Sequence, residues 1–142
     1  MKFLLALTAL FTTAVVLTAA DGVIYVSHDK VAAALAKGGP LAKASDVAVS
    51  GSFRNKGGSV EVHEKETDVI YVVDGAATFV TGGTMVGGKS TKPGQHIGSD
   101  IKGGQAHSLT KGDVIVVPAG TPHWFKEVPQ TVSYYVVKVL KP

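Results

Sequence analysis

The sequence predicts a single all-β domain, a sandwich or barrel of short antiparallel strands preceded by one helix. Three observations lead to this prediction. From residue 47 onward, short alternating or β-branched runs are separated by glycines and polar turns. The chain contains 17 glycines, as expected for many tight turns. Its 142 residues suffice for one hydrophobic core and one domain.

The first 20 residues have the layout of a secretory signal peptide. Lys2 provides a positive start, residues 3–17 are apolar apart from three threonines, and Thr18-Ala19-Ala20 offers small residues for cleavage. An uncleaved membrane anchor is the alternative, because the apolar run is nearly long enough to span a bilayer. We therefore expect a signal peptide at residues 1–20 and one domain at residues 21–142. The mature protein would be exported, periplasmic or extracellular, with no membrane contact after cleavage.

Charge and cysteine content argue against several classes of function. Cleavage would remove Lys2 and lower the formal net charge from +3 to +2, and the remaining lysines are scattered along the chain. This pattern contains no patch typical of nucleic-acid binding or membrane-surface binding. The chain has no cysteine, so it offers neither disulfides nor thiolate ligands or nucleophiles.

One helix is predicted before the strands. Ser27 is a suitable N-cap, residues 30–37 form the strong helical run, and Gly38-Gly39-Pro40 ends it. Asp74-Gly75, between two apolar runs, predicts a hairpin turn. The candidate strands are residues 46–54, 59–63, 68–73, 76–81, 107–109, 113–118 and 131–140.

Residues 82–104 do not follow the strand pattern. This segment has eight glycines and little apolar content, with Met85-Val86 as a candidate short strand. Loops of this length are usually functional or disordered. We expect a long excursion between the two halves of the barrel that is cleaved early by proteases, and a lid, a dimer arm and a disordered loop remain open.

Two other segments carry the candidate chemistry. Residues two apart in a strand point to the same face, so Glu61 and His63 project together. His123 follows a Pro118-Ala119-Gly120 corner, which gives its side chain a defined direction. Imidazole and carboxylate together suit a divalent transition metal, namely iron, manganese, zinc, nickel or copper, rather than calcium or magnesium.

These segments resemble the two motifs of the cupin superfamily, over residues 61–127. The second motif, Gly-x5-Pro-x-Gly-x2-His, is matched by residues 112–123, with His123 at its histidine. Its usual asparagine is replaced by Glu127. In the first motif, His63 stands at the second histidine, Asp68 at the glutamate, and Glu61 where the first histidine would be.

The resemblance implies a double-stranded β-helix, or jelly-roll, cupin barrel with one short N-terminal helix. It also implies four metal ligands, Glu61, His63, Asp68 and His123, and a homodimer. Asp68 is shorter than glutamate, so it either binds the metal or only hydrogen-bonds to a ligand or bound water. Three of the four have a structural alternative: a packed histidine for His123, a surface carboxylate for Glu61, and a cap of the turn into its strand for Asp68.

His107 is a further candidate. It lies two residues before Leu109 and so shares a face that is expected to point inward. It either replaces the missing first histidine, acts as a general acid–base beside the metal, or is purely structural. Asp68 and His107 are thus the candidate catalytic residues. Glu64, Glu66 and His96 are expected to be solvated.

We expect an exported, metal-binding cupin, with a metal-dependent enzyme acting on a small organic molecule as the leading hypothesis. Dioxygenase chemistry and lyase or isomerase chemistry both suit the ligand set. The alternative is a non-catalytic cupin that binds a metal or small molecule. A third hypothesis is a cupin that lost its metal when the first histidine became Glu61.

Overall fold

The computed structural model describes residues 22–142, so the predicted signal peptide lies outside the described residues. Within them the fold is all-β with one short helix, as predicted, and no helix there is long and apolar enough to cross a membrane. The elements are α1 (His28–Lys37), β1 (Gly39–Lys43), β2 (Val47–Arg54), β3 (Val60–His63), β4 (Glu66–Thr81), β5 (Thr84–Val86), β6 (Lys89–Lys92), β7 (Gln95–Gly98), β8 (Asp100–Lys102), β9 (Gln105–Thr110), β10 (Val114–Val117), β11 (His123–Glu127) and β12 (Val132–Leu140).

Helix α1 forms where the sequence predicts it. Ser27 occupies the N-cap position, although its side chain makes no capping hydrogen bond, and Gly38 ends the helix with a φ of 77°, in the left-handed region that favours glycine. The helix packs on β2 at Gly51, where a Cβ atom would lie 2.8 Å from the backbone of Ala34. The absence of a side chain at Gly51 therefore allows α1 to cover the outer face of β2.

The strands form an antiparallel sheet that curls on itself. Its order is β1-β2-β12-β4-β11-β3-β7-β6, with β9 and β10 also paired to β4. The first half of β4 pairs with β10 and β12, and its second half pairs with β9 and β11. Strand β4 therefore belongs to both faces of the jelly roll.

The predicted hairpin at Asp74-Gly75 is wrong, because β4 continues through it. Gly75 has a φ of 83°, and the pairing with β12 shifts register nearby, between Ser133 and Tyr134. A Cβ atom at Gly75 would overlap the carbonyl oxygen of Thr131. The glycine is therefore part of a bulge at which the long strand passes from one face to the other.

Residues 82–104 contain four short strands. Strand β5 includes the predicted Met85-Val86 strand and pairs with β8. Strands β6 and β7 form a hairpin, and β7 pairs with β3 from Val60↔Gly98 to His63↔Gln95. The excursion is thus joined by hydrogen bonds to the strand that carries Glu61 and His63.

The hydrophobic core lies between the two faces of the barrel. Its largest fully buried side chain is Phe79, which contacts Phe125 edge to face at 4.6 Å between ring centroids. Phe125 in turn stacks on Tyr134. The remaining members of this cluster are Ile70, Val72, Ala77, Leu109, Val117, Val132 and Val136.

Candidate metal centre

Two neighbouring strands bring Glu61, His63 and His123 together. Glu61 and His63 share the inner face of β3, and His123, the first residue of β11, pairs directly with Glu61. One potential ligand atom from each of the three side chains lies within 4.8 Å of the others. Both histidines are buried. The motif spacing thus brings three of the four predicted ligands together inside the barrel.

Hydrogen bonds fix the orientation of both imidazole rings. His123 Nδ1 is 3.0 Å from the carbonyl oxygen of Thr121, which can only accept, so Nδ1 carries the proton. His63 Nδ1 makes a short hydrogen bond to Oε1 of Gln95, on β7. Each ring therefore presents an unprotonated Nε2 to the interior when it is neutral, which is the form that binds a metal.

The spacing of the inward-facing atoms fits a small cation. His63 Nε2 is 3.5 Å from Glu61 Oε2. Asp68 Oδ2 is 3.6 Å from His63 Nε2 and 3.7 Å from His123 Nε2. Two ligand atoms each about 2.1 Å from an ion, at a tetrahedral angle, would lie about 3.4 Å apart. The donor set and its spacing therefore match a transition-metal site of two histidines and one or two carboxylates.

Asp68 is held from the other side by Lys138. Lys138 Nζ is 2.8 Å from Asp68 Oδ1 and 2.8 Å from Glu66 Oε2. Burial by itself would lower the pKa of Lys138, but the hydrogen bonds to Asp68 and Glu66 outweigh burial and raise that pKa. Lys138 is therefore charged and donates to both oxygens of Asp68, at 2.8 Å to Oδ1 and 3.2 Å to Oδ2, and Oδ2 also faces the two histidines.

The protonation states of the cluster suit metal binding after the loss of one proton. The hydrogen bond from His63 lowers the pKa of Glu61, and burial lowers the pKa of His123. Burial would also lower the pKa of His63, but the Glu61 hydrogen bond and other interactions raise it overall. A metal ion would displace the proton that His63 shares with Glu61.

The cluster forms one wall of a cavity of about 190 Å³. Ile70 and Phe125 of the hydrophobic core also line the cavity, and β2 contributes Ser50, Ser52 and Arg54. Arg54 Nε donates a 2.7 Å hydrogen bond to the hydroxyl of Tyr134. Burial raises the pKa of Tyr134, so its hydroxyl keeps its proton at neutral pH. The site is therefore a small polar chamber rather than a closed ligand cage.

The structure does not bring His107 to this cluster. His107 lies on β9, opposite Phe79 of β4, and its Nε2 is 2.9 Å from the hydroxyl of Thr81. It is not among the residues that line the cavity. The first histidine of the motif is therefore not replaced by His107 here.

The expectations of solvation for the acidic turn are partly wrong. Glu66 is bonded to Lys138 and is only 22% exposed. Glu64 is exposed and bonds the partly buried His96, with 2.7 Å between Oε1 and Nε2. Glu66 therefore belongs to the charged network around Asp68, whereas Glu64 and His96 form a surface pair.

Three residues of the site were not identified from the sequence. A signal for Lys138 was present, because it continues the alternation of the buried Val132, Tyr134 and Val136 on β12. Arg54 is the only arginine in the chain. Gln95 gave no signal, because its contact with His63 depends on the pairing of β7 with β3.

The fold and the site define a small β-barrel protein with a candidate metal centre inside the barrel. The chain belongs to the cupin family, because the family model described as Cupin matches residues 27–142. No protein with a curated description matches its sequence.

Solved structures show the same fold. A protein from Bacillus halodurans has a TM-score of 0.54 at 14% identity, over 72% of this chain and 69% of that chain. KdgF from Halomonas sp. has a TM-score of 0.54 at 18% identity, over 73% and 77%. A Klebsiella pneumoniae protein with a double-stranded β-helix domain has a TM-score of 0.50 at 15% identity, over 71% and 73%. At such identities the likeness concerns the fold alone.

Proposed function

We propose that this cupin is a metal-dependent enzyme that acts on a small organic molecule in the cavity. The observation that carries the proposal is the convergence of Glu61, His63 and His123 beside an open polar chamber. The chamber, at about 190 Å³, lies below the roughly 300–1,000 Å³ of pockets for drug-sized ligands. The substrate is therefore small.

Lyase or isomerase chemistry fits the chain's own residues best. A divalent ion at this site would act as a Lewis acid on an oxygen of the substrate. Asp68, fixed by Lys138, holds a carboxylate oxygen beside both histidines, where it can take up a proton. The protonated hydroxyl-bearing side chain of Tyr134 also lines the cavity. The two-histidine, one-carboxylate set also keeps dioxygenase chemistry open, since such sets hold non-haem iron.

Metal content is the first test. The domain from residue 21 onward, purified without chelators, is expected to hold about one equivalent of a transition metal by elemental analysis. Glu61→Ala and His123→Ala should each lose it, whereas the matched control His96→Ala, outside the cluster, should keep it. Folded protein that never takes up metal under any loading condition would refute the metalloenzyme and favour a cupin that has lost its metal.

A non-catalytic metal-binding cupin is the competing proposal. It is favoured by Asp68, whose Oδ2 lies 3.6 and 3.7 Å from the two histidine nitrogens and could complete a set of four protein ligands. A closed set of four ligands leaves no position for substrate. Four protein ligands fill the coordination shell of a tetrahedral ion such as zinc, so metal-bound water is sought by nuclear relaxation of solvent in the protein loaded with cobalt in place of zinc. Bound water would support the enzyme, and its absence would support storage or structure.

We further propose that two copies associate through the outer face of β10, β4 and β12. Val114 pairs with Tyr71, which pairs with Tyr135, and Val116 pairs with Val69, which pairs with Val137. Val114 and Val116 are 60% and 55% exposed. An uncharged apolar grid of this kind is rare on monomers and can pair with its own copy. In analytical ultracentrifugation, the wild type is expected to sediment as a dimer and Val116→Lys as a monomer. A wild type that sediments as a monomer would contradict the proposal.

Export remains part of the proposed function. It is supported by the charge, length and small-residue end of the segment at residues 1–20. Expression of the full chain, followed by cell fractionation and N-terminal sequencing, is expected to give a protein that begins near Asp21 outside the cytoplasm. An intact N-terminus in the membrane fraction would indicate an anchor instead.

A further inference from the structure

We propose that the ligand of the cavity is an organic monoanion, a short hydroxy or oxo acid whose carboxylate is held by the guanidinium of Arg54. This inference rests on the proposed function in taking the cavity as the substrate site and in taking a divalent ion as bound at the candidate metal centre. It names the class of substrate, which neither the fold nor the donor set of the candidate metal centre specifies.

The charges around the cavity leave a place for one negative charge. Arg54 and Lys138 are cationic, and Glu61, Asp68 and Glu66 are anionic, so these five side chains carry a net charge of −1. A divalent ion at the candidate metal centre would change this sum to +1. A buried excess charge is costly unless it is paired, so a bound monoanion would balance the site.

Arg54 is the cation that is available to a ligand. Lys138 is committed to Asp68 and Glu66, with both contacts at 2.8 Å. The Nη2 atom of Arg54, in contrast, is 3.9 Å from Glu61 Oε1, beyond hydrogen-bonding distance. A lysine saturated by two carboxylates has little capacity for a third anion, whereas the terminal N–H groups of Arg54 can still donate to one.

The Arg54 side chain is also held in place before any ligand arrives. Its Nε donates to the Tyr134 hydroxyl at 2.7 Å, and its guanidinium carbon lies 4.9 Å from the centroid of the Phe125 ring. Gly58 leaves room for it, because a Cβ there would be 2.6 Å from Nη1. A planar donor fixed in this way loses little conformational entropy when it binds a carboxylate through two N–H groups.

The position of Arg54 sets the kind of acid. Because Arg54 Nη2 lies 3.9 Å from Glu61, a carboxylate on Arg54 would sit beside the candidate metal ligands. A second oxygen on the next carbon or one further would then face the cluster of Glu61, His63 and His123. The small volume limits the rest of the molecule to a few atoms.

The test compares a monoanion with its neutral isostere. Calorimetric titrations use lactate and lactamide, each with the zinc-loaded and the metal-free protein. Lactate is expected to bind at least about 10-fold more tightly than lactamide. Arg54→Gln should weaken lactate binding by about 10- to 100-fold, as expected for loss of a charge-assisted pair, should weaken lactamide binding much less, and should not weaken zinc binding, because it removes a positive charge 3.9 Å from Glu61. Lys111→Gln removes an equal charge from the exposed surface and should change neither lactate binding nor zinc binding.

Arg54→Lys is the second variant, for the case in which Arg54→Gln does not fold. It keeps the positive charge, but it should still lower lactate affinity by about 10-fold because a lysine cannot donate two parallel hydrogen bonds to a carboxylate. Equal affinity for lactate and lactamide overturns the proposal, and so does lactate binding that is insensitive to both substitutions. In either case, the proposed function still stands if the protein binds zinc. Phosphate that binds about 10-fold more tightly than lactate also overturns it. If zinc fails to bind, the metal-dependent function fails, and this proposal fails with it because its charge balance needs the ion; zinc binding without preference for lactate overturns this proposal alone.

Discussion

Replacing Lys138 with methionine is expected to destabilise the metal-free protein by about 3 kcal/mol. Asp68 is only 4% exposed, and Lys138 is the cation that compensates its charge at a distance of 2.8 Å. Methionine fills a similar volume but removes the cation that is hydrogen-bonded to this buried carboxylate and to Glu66. Removing one partner of a buried ion pair costs about 3–5 kcal/mol, and the 28% exposure of the Lys138 side chain places the effect near the lower end.

Urea unfolding of the metal-free wild type and variant measures the effect. Lys111→Met is the matched control, because the Lys111–Asp74 pair is exposed at 74% and 72% and should contribute at most about 0.5 kcal/mol. Adding Asp68→Asn to Lys138→Met should recover part of the loss, since the uncompensated charge is then gone. Metal loading should also recover part of it by supplying a cation near Asp68 Oδ2. A loss no larger than that of the control would refute the assignment of Lys138 as the partner of a buried charge.

Three further predictions concern the same site and the strand that crosses the barrel. Gln95→Ala should weaken metal binding by about 10- to 100-fold, because the His63 ring loses the contact that orients it, and chelator competition with His96→Ala as control measures this. Metal at 100 times its dissociation constant should raise the free energy of unfolding by about 2.7 kcal/mol in the wild type but not in His63→Ala, and equal urea midpoints would contradict metal binding to the folded state. Gly75→Ala should lower the thermal unfolding temperature clearly more than Gly82→Ala. Both glycines have positive φ, but only Gly75 lies against the backbone of another residue. Equal losses would rule out this close approach of Gly75 to the backbone.

Much of the fold was predictable from local patterns. Ser27 and Gly38 lie at the two ends of the helix, and the C-terminal end was predictable because it depends on one adjacent glycine. The alternation of β12 predicts a long strand with one buried face, and that strand is present. The error at Asp74-Gly75 has a physical reason: a glycine with positive φ occurs both in hairpin turns and in bulges. Only the strands that pair on either side distinguish the two.

The candidate ligands were predictable from motif spacing, but their partners were not. Glu61 and His63 lie two apart on one strand, so their common direction follows from the period of the chain. His107 also shares an inward face, yet it pairs opposite Phe79 and bonds Thr81 instead of joining the cluster. Facing inward is a property of one strand, whereas proximity to the site depends on which strands are neighbours.

The sequence by itself determined that this protein is a cupin barrel, that it has a helix over residues 30–37, and that Glu61, His63, Asp68 and His123 are the candidate ligands. These features depend on residues close together in the chain and on a spaced motif. The tertiary structure decided that Gln95 orients His63, that Lys138 holds Asp68, and that Arg54 faces the same chamber. Gln95 and His63 are 32 positions apart in the chain, and Lys138 and Asp68 are 70 positions apart. Only the pairing of β7 with β3 and the closure of β2 and β12 over the core bring such residues together.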